Sequence, residues 1–249
     1  MRRMIRCLPR SNWMPWALLI GLAPLATWAA DHECGVVSGQ RLTPVIELYT
    51  SEGCSSCPPA DAWFSTLKGQ PVVAQAFHVG YWDQIGWVDR FASPAFTTRQ
   101  RQIAAANHLN GIYTPQLVRH GRDWRDWRES PAMASNAMAR AMISLHRNGD
   151  ADRFEALVRP AAIATTWTAY WSVTEDGHSS RVKAGENAGE FLKHDFVVRQ
   201  YTPVGQYQGE RTLEFFAIPE QPGHPRHINL VVSDLQTGEP LQAVSLTCS

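Results

Sequence analysis

The pattern of apolar and polar positions divides the chain into two stretches. Over residues 41–150, short apolar runs alternate with helix-like ones. Val45–Tyr49 is apolar except for Glu47, the pattern of a strand covered on both faces. Cys57 to Leu67 reads as a helix. Pro58 and Pro59 suit its first turn, where the missing N–H had no partner, and Lys68-Gly69-Gln70-Pro71 stops it. Val72–Val79 is a second continuous strand, so the helix between the two makes a right-handed parallel crossover. Residues 94–108 read as a helix ended by Gly111, Ile112–Val118 as a strand, and residues 131–147 as another helix.

The period then changes to two. Ile163, Thr165, Trp167, Ala169, Trp171 and Val173 alternate with Thr166, Thr168, Tyr170 and Ser172, as in a half-buried strand. Strand-like runs follow at Phe191–Tyr201, Leu213–Ile218, Ile228–Val232 and Leu241–Leu246, separated by Gly-containing turns. The expected fold class is α/β: a region with a central mixed sheet over residues 41–150, then a mainly antiparallel β region over 155–249.

Composition adds little, but the N-terminus adds a compartment. The 249 residues carry 23 basic and 23 acidic side chains, so bulk charge gives no reason to expect nucleic acid. Arg2, Arg3, Arg6 and Arg10 precede an apolar stretch from Trp13 to Trp28, which ends in Thr27-Trp28-Ala29-Ala30. That is the order of a secretory signal peptide over residues 1–29, cleaved after Ala29. The alternative is a membrane anchor, but the apolar core is short for a span and holds Pro15 and Pro24. Cleavage leaves 19 basic against 23 acidic residues, a net charge of −4, and no stable membrane anchor. The expected location is periplasmic or secreted.

Cleavage also removes Cys7 and leaves four cysteines, which allow three pairings. Cys54 and Cys57 pair locally. In an oxidising compartment the remaining Cys34 and Cys248 are expected to form a structural disulfide joining the two ends, the alternative being two free thiols.

The chemistry centres on Cys54-Ser55-Ser56-Cys57. A strand feeding a Cys-x-x-Cys at the start of a helix reads as a thioredoxin-like redox motif. Unpaired N–H groups and the positive end of the helix dipole favour the thiolate, which is the nucleophile in disulfide exchange. Cys54 is expected to be the exposed nucleophile and Cys57 the resolving thiol. Glu47 is a candidate acceptor for the Cys57 proton; otherwise its strand is half-exposed and Glu47 sits in water. His78, at the end of the second strand, could raise the thiolate fraction of Cys54. Proline fits poorly in a strand, so Thr114-Pro115 is read either as a cis peptide beside the Cys pair or as an ordinary trans proline at a strand start. Thr114, Pro115 and Trp82, from the aromatic loop 78–89, are the candidate substrate-binding residues. The Gly185–Gly189 stretch reads as a turn with no assigned chemistry.

Five stretches resemble domain of unknown function 1223, a family of secreted bacterial proteins placed in the thioredoxin-like superfamily. They are Glu47–Asp61; His78 with Tyr81-Trp82-Asp83 and Gly86-Trp87; Phe96-Thr97 with Arg99-Gln100; Tyr113–Gln116; and Gly185–Gly189. Gly80 departs from the family's usual acid between His and Tyr. The resemblance implies a thioredoxin-like fold and supplies no activity.

The leading functional expectation is thiol–disulfide exchange on a protein or small thiol substrate. One alternative is a Cu(I)-binding, metallochaperone-like protein using the two thiolates and His78. Another is a non-enzymatic binding protein with a structural disulfide, using Tyr81, Trp82 and Trp87 as contacts. No cofactor or resident metal is called for.

Overall fold

The computed structural model describes residues 34–129 and 136–248. The signal peptide, Cys7 and the first residues of the helix expected over 131–147 lie outside them. The central element is a parallel pair, β2 (Val45–Thr50) and β3 (Val73–His78), joined by α1 (Pro58–Ser65). Both strands are buried along their whole length. Successive side chains of a strand face opposite ways. Ile46 and Leu48 therefore pack with Phe64 of α1, while Tyr49 packs on the other face with Phe77 and Phe96. Phe96 belongs to α2 (Pro94–Ala106), capped by Ser93, whose hydroxyl accepts from Ala95 N.

β1 (Gly35–Val37) precedes this unit. β4 (Gln116–Arg119) and β5 (Arg122–Asp123) follow it, then β6 (Ala141–Arg147), β7 (Arg153–Pro160), β8 (Thr166–Glu175), β9 (His178–Arg181) and β10 (Phe191–His194). The chain ends with β11 (Val197–Gln208), β12 (Arg211–Phe216), β13 (Arg226–Asp234) and β14 (Pro240–Leu246).

The expectation of an α/β, thioredoxin-like fold is overturned. The described chain is mostly β with two α-helices, and its largest sheet has the order β14-β13-β8-β11-β3-β2-β4-β5. Strands from before and after residues 150–160 therefore lie in one sheet. Val197 of β11 pairs in parallel with Ala76 of β3, and β11 pairs antiparallel with β8. A second sheet, β1-β6-β7-β12, packs on the far half of the first. There Trp171 stacks on Phe215 at 4.9 Å.

The physical reason lies in residues 141–147. Ala141, Ile143 and Leu145 are buried while Met142 is exposed, a period of two. This segment was expected to be helical and instead forms β6. The disulfide Cys34–Cys248 lies just before β1 and just after β14, so it ties one sheet to the other. The described residues fall in one compact unit.

Candidate functional site

β2 delivers the chain to a tight turn, Ser51–Cys54, closed by Cys54 N donating to Ser51 O at 3.1 Å. Cys57 occupies the N-cap position of α1, with Pro58 and Pro59 in the first turn. Cys54 and Cys57 are joined as a disulfide. Contrary to the expected exposed nucleophile, Cys54 is only 1% accessible and Cys57 0%, while Ser55 and Ser56 are exposed.

The Thr114–Pro115 peptide bond is cis. Tyr49 pairs with Gln116, so continuing that register puts Pro115 across from Thr50, where β2 runs into the Cys loop. Trp82 links the two segments. Its Nε1 donates to Thr114 Oγ1 at 2.8 Å, and its Cβ lies 2.9 Å from where a Cβ on Gly53 would stand. Only glycine at 53 lets the Trp82 side chain approach that closely. Thr114, Pro115 and Trp82 are therefore gathered at the Cys loop.

Glu47 and His78 are placed elsewhere. Glu47 shares the Tyr49 face of β2, away from α1. It accepts from Arg99 Nη2 at 2.6 Å and Nε at 2.9 Å, and from the Tyr49 hydroxyl at 2.7 Å. A carboxylate held by a bidentate guanidinium on the opposite face of the sheet is a structural ion pair, not an acceptor for Cys57. His78 is fully buried. Its Nδ1 lies 2.7 Å from Asp89 Oδ2, and its ring packs 4.9 Å from His194 and 5.2 Å from Phe91. It belongs to a buried acid–histidine cluster rather than to the sulfur atoms.

That cluster contains Glu52, Asp61, His78, Asp89 and His194. Glu52 is 0% accessible; its carboxylate accepts from Trp87 Nε1 at 2.7 Å and lies 3.3 Å from His194 Nε2. Burial pushes the Glu52 carboxyl up, but the nearby His194, Ser180 and Trp87 side chains outweigh it and hold the group below its ordinary range. Asp89 is likewise pushed up by burial and held lower by His78 and by the Glu52 and Phe91 N–H groups. Asp61 is the exception. Burial dominates, and despite His194 and the Thr50 hydroxyl it is pushed up to about 7. Asp61 lies one helical turn beyond Cys57, and its N–H donates to Cys57 O at 3.1 Å.

Glu186 and Asn187, in the turn that had no assigned chemistry, also reach the Cys loop. Asn187 Nδ2 donates to Glu52 O at 2.9 Å and to Cys54 O at 3.0 Å; Glu186 Oε2 accepts from Ser55 N at 3.0 Å. Among the described residues no group of three or more His, Cys, Asp or Glu side chains is arranged to hold a metal ion.

A family model described as "Protein of unknown function (DUF1223)" matches residues 45–233, most of the chain and all of this site. The chain belongs to the DUF1223 family. This DUF1223 chain is similar to the crystal structure of protein AGR_C_4864 from Agrobacterium tumefaciens, with 24% identity over 84% of this chain and 96% of that one, at a TM-score of 0.63. It is also similar to HBP35 of Porphyromonas gingivalis, with 12% identity over 84% of this chain and 76% of that one, at a TM-score of 0.55. These likenesses concern the fold. No curated protein matches the chain.

Sequence reasoning passed over Glu52 and Asp61, although both lie inside the quoted motif. The available signal was position: Asp61 is four residues beyond Cys57, hence one turn along the same helix. His194 could be read only from the alternation of β10, in which Leu192 and His194 are buried.

Proposed function

We propose that this protein is an exported thiol–disulfide exchange protein acting through Cys54 and Cys57. One observation carries the reading: the Cys54–Cys57 disulfide caps α1 beside the cis Thr114–Pro115 bond, with the buried Asp61 one turn away. A substrate thiolate attacks Cys54 Sγ. The Cys54–Cys57 bond breaks, and its electron pair leaves on Cys57 Sγ, where the start of α1 stabilises it. Asp61 supplies the proton that Cys57 then takes. A second substrate thiolate attacks the substrate sulfur of the mixed disulfide and releases Cys54 as a thiolate. The substrate leaves as a disulfide and the protein as a dithiol; the reverse sequence reduces a substrate. With Asp61 pushed up to about 7, both its protonated and ionised forms are populated near neutral pH. Export rests on the N-terminal signal pattern and is compatible with the two disulfides. No helix among the described residues is long and apolar enough to cross a membrane.

The burial of both sulfurs favours a second reading, in which the disulfide is structural and Tyr81, Trp82 and Trp87 form a binding surface. For the Cu(I) reading, the described residues hold no group of three or more His, Cys, Asp or Glu side chains arranged for a metal ion. Equilibration of the Cys pair against glutathione separates the first two. A potential between about −120 and −270 mV, with exchange onto a peptide disulfide, is expected for the exchange protein. A potential below about −300 mV with no exchange would establish the structural reading instead.

A further inference from the structure

Cys54 is shut in by a part of the chain far from it in sequence. β9 and β10 form a two-stranded ribbon outside both larger sheets. Their connection folds back on itself, with Val182 N donating to Glu190 O at 3.0 Å and Gly189 N to Val182 O at 2.9 Å. Gly185 (φ 76°) and Gly189 (φ 94°) bracket the tip in the left-handed region. At the tip, Asn187 is buried and Glu186 sits over the exposed Ser55. Together they occupy the carbonyls of Glu52 and Cys54 and the N–H of Ser55, the main-chain groups on either side of the Cys54 sulfur. A side-chain amide donating to carbonyls and an oxygen accepting from an N–H present what an extended polypeptide backbone presents.

We infer that the Glu186–Asn187 tip is an internal stand-in for substrate: it holds the main-chain donors and acceptors of the Cys54 loop until an extended, cysteine-containing polypeptide displaces it. The inference rests on the exchange reading and names its substrate class. A small thiol that displaces the tip leaves the Glu52 and Cys54 carbonyls unpaired, which is costly. A polypeptide replaces those bonds with its own N–H and C=O groups, as added strands do elsewhere. Glu186 has a second effect. It places a carboxylate beside Cys54 and takes the Ser55 N–H that would otherwise stabilise a thiolate, so its departure also favours the reactive form. The ribbon is anchored below the tip by His194, which reaches Glu52, so the tip can leave without the ribbon unfolding.

The test uses the signal-cleaved protein with both disulfides formed. Reduction of Cys54–Cys57 is followed by alkylation and mass measurement, once with dithiothreitol and once with a peptide containing two cysteines. Asn187→Ala is expected to speed reduction by dithiothreitol about tenfold while changing the peptide rate less, so the preference for peptide falls. Glu186→Gln, at an exposed position, keeps an acceptor for Ser55 N but loses the charge; it is expected to lower the pKa of the reduced Cys54 thiol. This variant carries the test if Asn187→Ala does not fold. Unchanged selectivity in the first variant, or an unchanged Cys54 pKa in the second, in a wild-type protein that does exchange with peptides, would overturn the stand-in alone. Failure of every form to exchange with a peptide, while small thiols still exchange, would overturn the polypeptide substrate; failure with both would remove the exchange reading itself.

Discussion

Replacing Asp61 by asparagine isolates the one group of the buried cluster that burial has turned into a neutral-pH acid. Asparagine fills the same space, and its Oδ1 can still accept from Thr50 Oγ1. The Asp61 carboxyl stands at about 7 in the folded protein against an ordinary 3.8. Because the folded value is raised, the folded state keeps its proton over a range where the unfolded chain has lost it. The wild type carries no penalty from this residue below about pH 4, loses stability as pH rises through the window to about 7, and levels off above it. Three units at about 1.4 kcal/mol each make the loss about 4 kcal/mol, an upper figure. Asparagine has no such window. Glu52 and Asp89 act in the opposite direction, since their folded values are lowered and their contribution is lost as pH falls. They are present in both proteins and largely cancel in the difference. Urea unfolding of the two proteins, disulfides intact, is expected to give matching stabilities near pH 4 and a more stable asparagine variant near pH 8, by up to about 4 kcal/mol. A difference that is flat with pH, or that grows toward acid, would refute the assignment. The proposed proton transfer adds a kinetic arm: the variant should lose the inflection near neutral pH in its exchange rate.

Arg99→Met should destabilise the protein by about 3–5 kcal/mol in urea melts, because it leaves the Glu47 carboxylate buried and unpaired. Glu47→Gln should leave the exchange rate within about twofold of wild type, since Glu47 faces away from α1; a large loss would return it to the proton path. Cys34→Ser should lower stability by up to about 5 kcal/mol for so long a closed loop, measured by denaturant midpoint, with the Cys54–Cys57 potential unchanged. Gly53→Ala forces its new Cβ against Trp82, with an expected cost of about 1–3 kcal/mol and a shift in Trp fluorescence; an unperturbed spectrum would count against the packing described.

The parallel unit around the Cys pair was legible because two signals coincide there: continuous apolar runs for β2 and β3, and a cysteine spacing at the start of a helix. The end of the fold was not. Ala141–Arg147 contains Ala, Met, Ile and Leu, residues at home in helices, and its alternation is visible only when Met142 is recognised as exposed. The facing of Glu47 was hidden for a related reason. A strand buried on both sides shows no polar alternation, so the side its one carboxylate faces cannot be read from the run itself. Arg99, which holds it, is 52 residues away. Long-range polar partners such as Trp87 with Glu52, or Asn187 with Cys54, leave no periodic trace. The glycines at 185 and 189 marked a turn, but not what the turn touches.

The corrected fold and the site are one result. β8 ends at Glu175, and β11 begins at Val197, paired with Glu175 on one side and with Ala76 of β3 on the other. The β9–β10 ribbon is inserted between those two strands, so it leaves the sheet next to the end of β3 that carries His78. In that place His194 can reach Glu52 while the tip reaches Glu52 O and Cys54 O. A β region forming a separate domain would have no fixed distance to the Cys loop and could not hold three hydrogen bonds near 3 Å across it. Extending a single sheet from β3 through β11 fixes that distance. The continuous sheet is thus what lets the ribbon bury the disulfide, and it sets the contacts that the proposed displacement of the tip has to break.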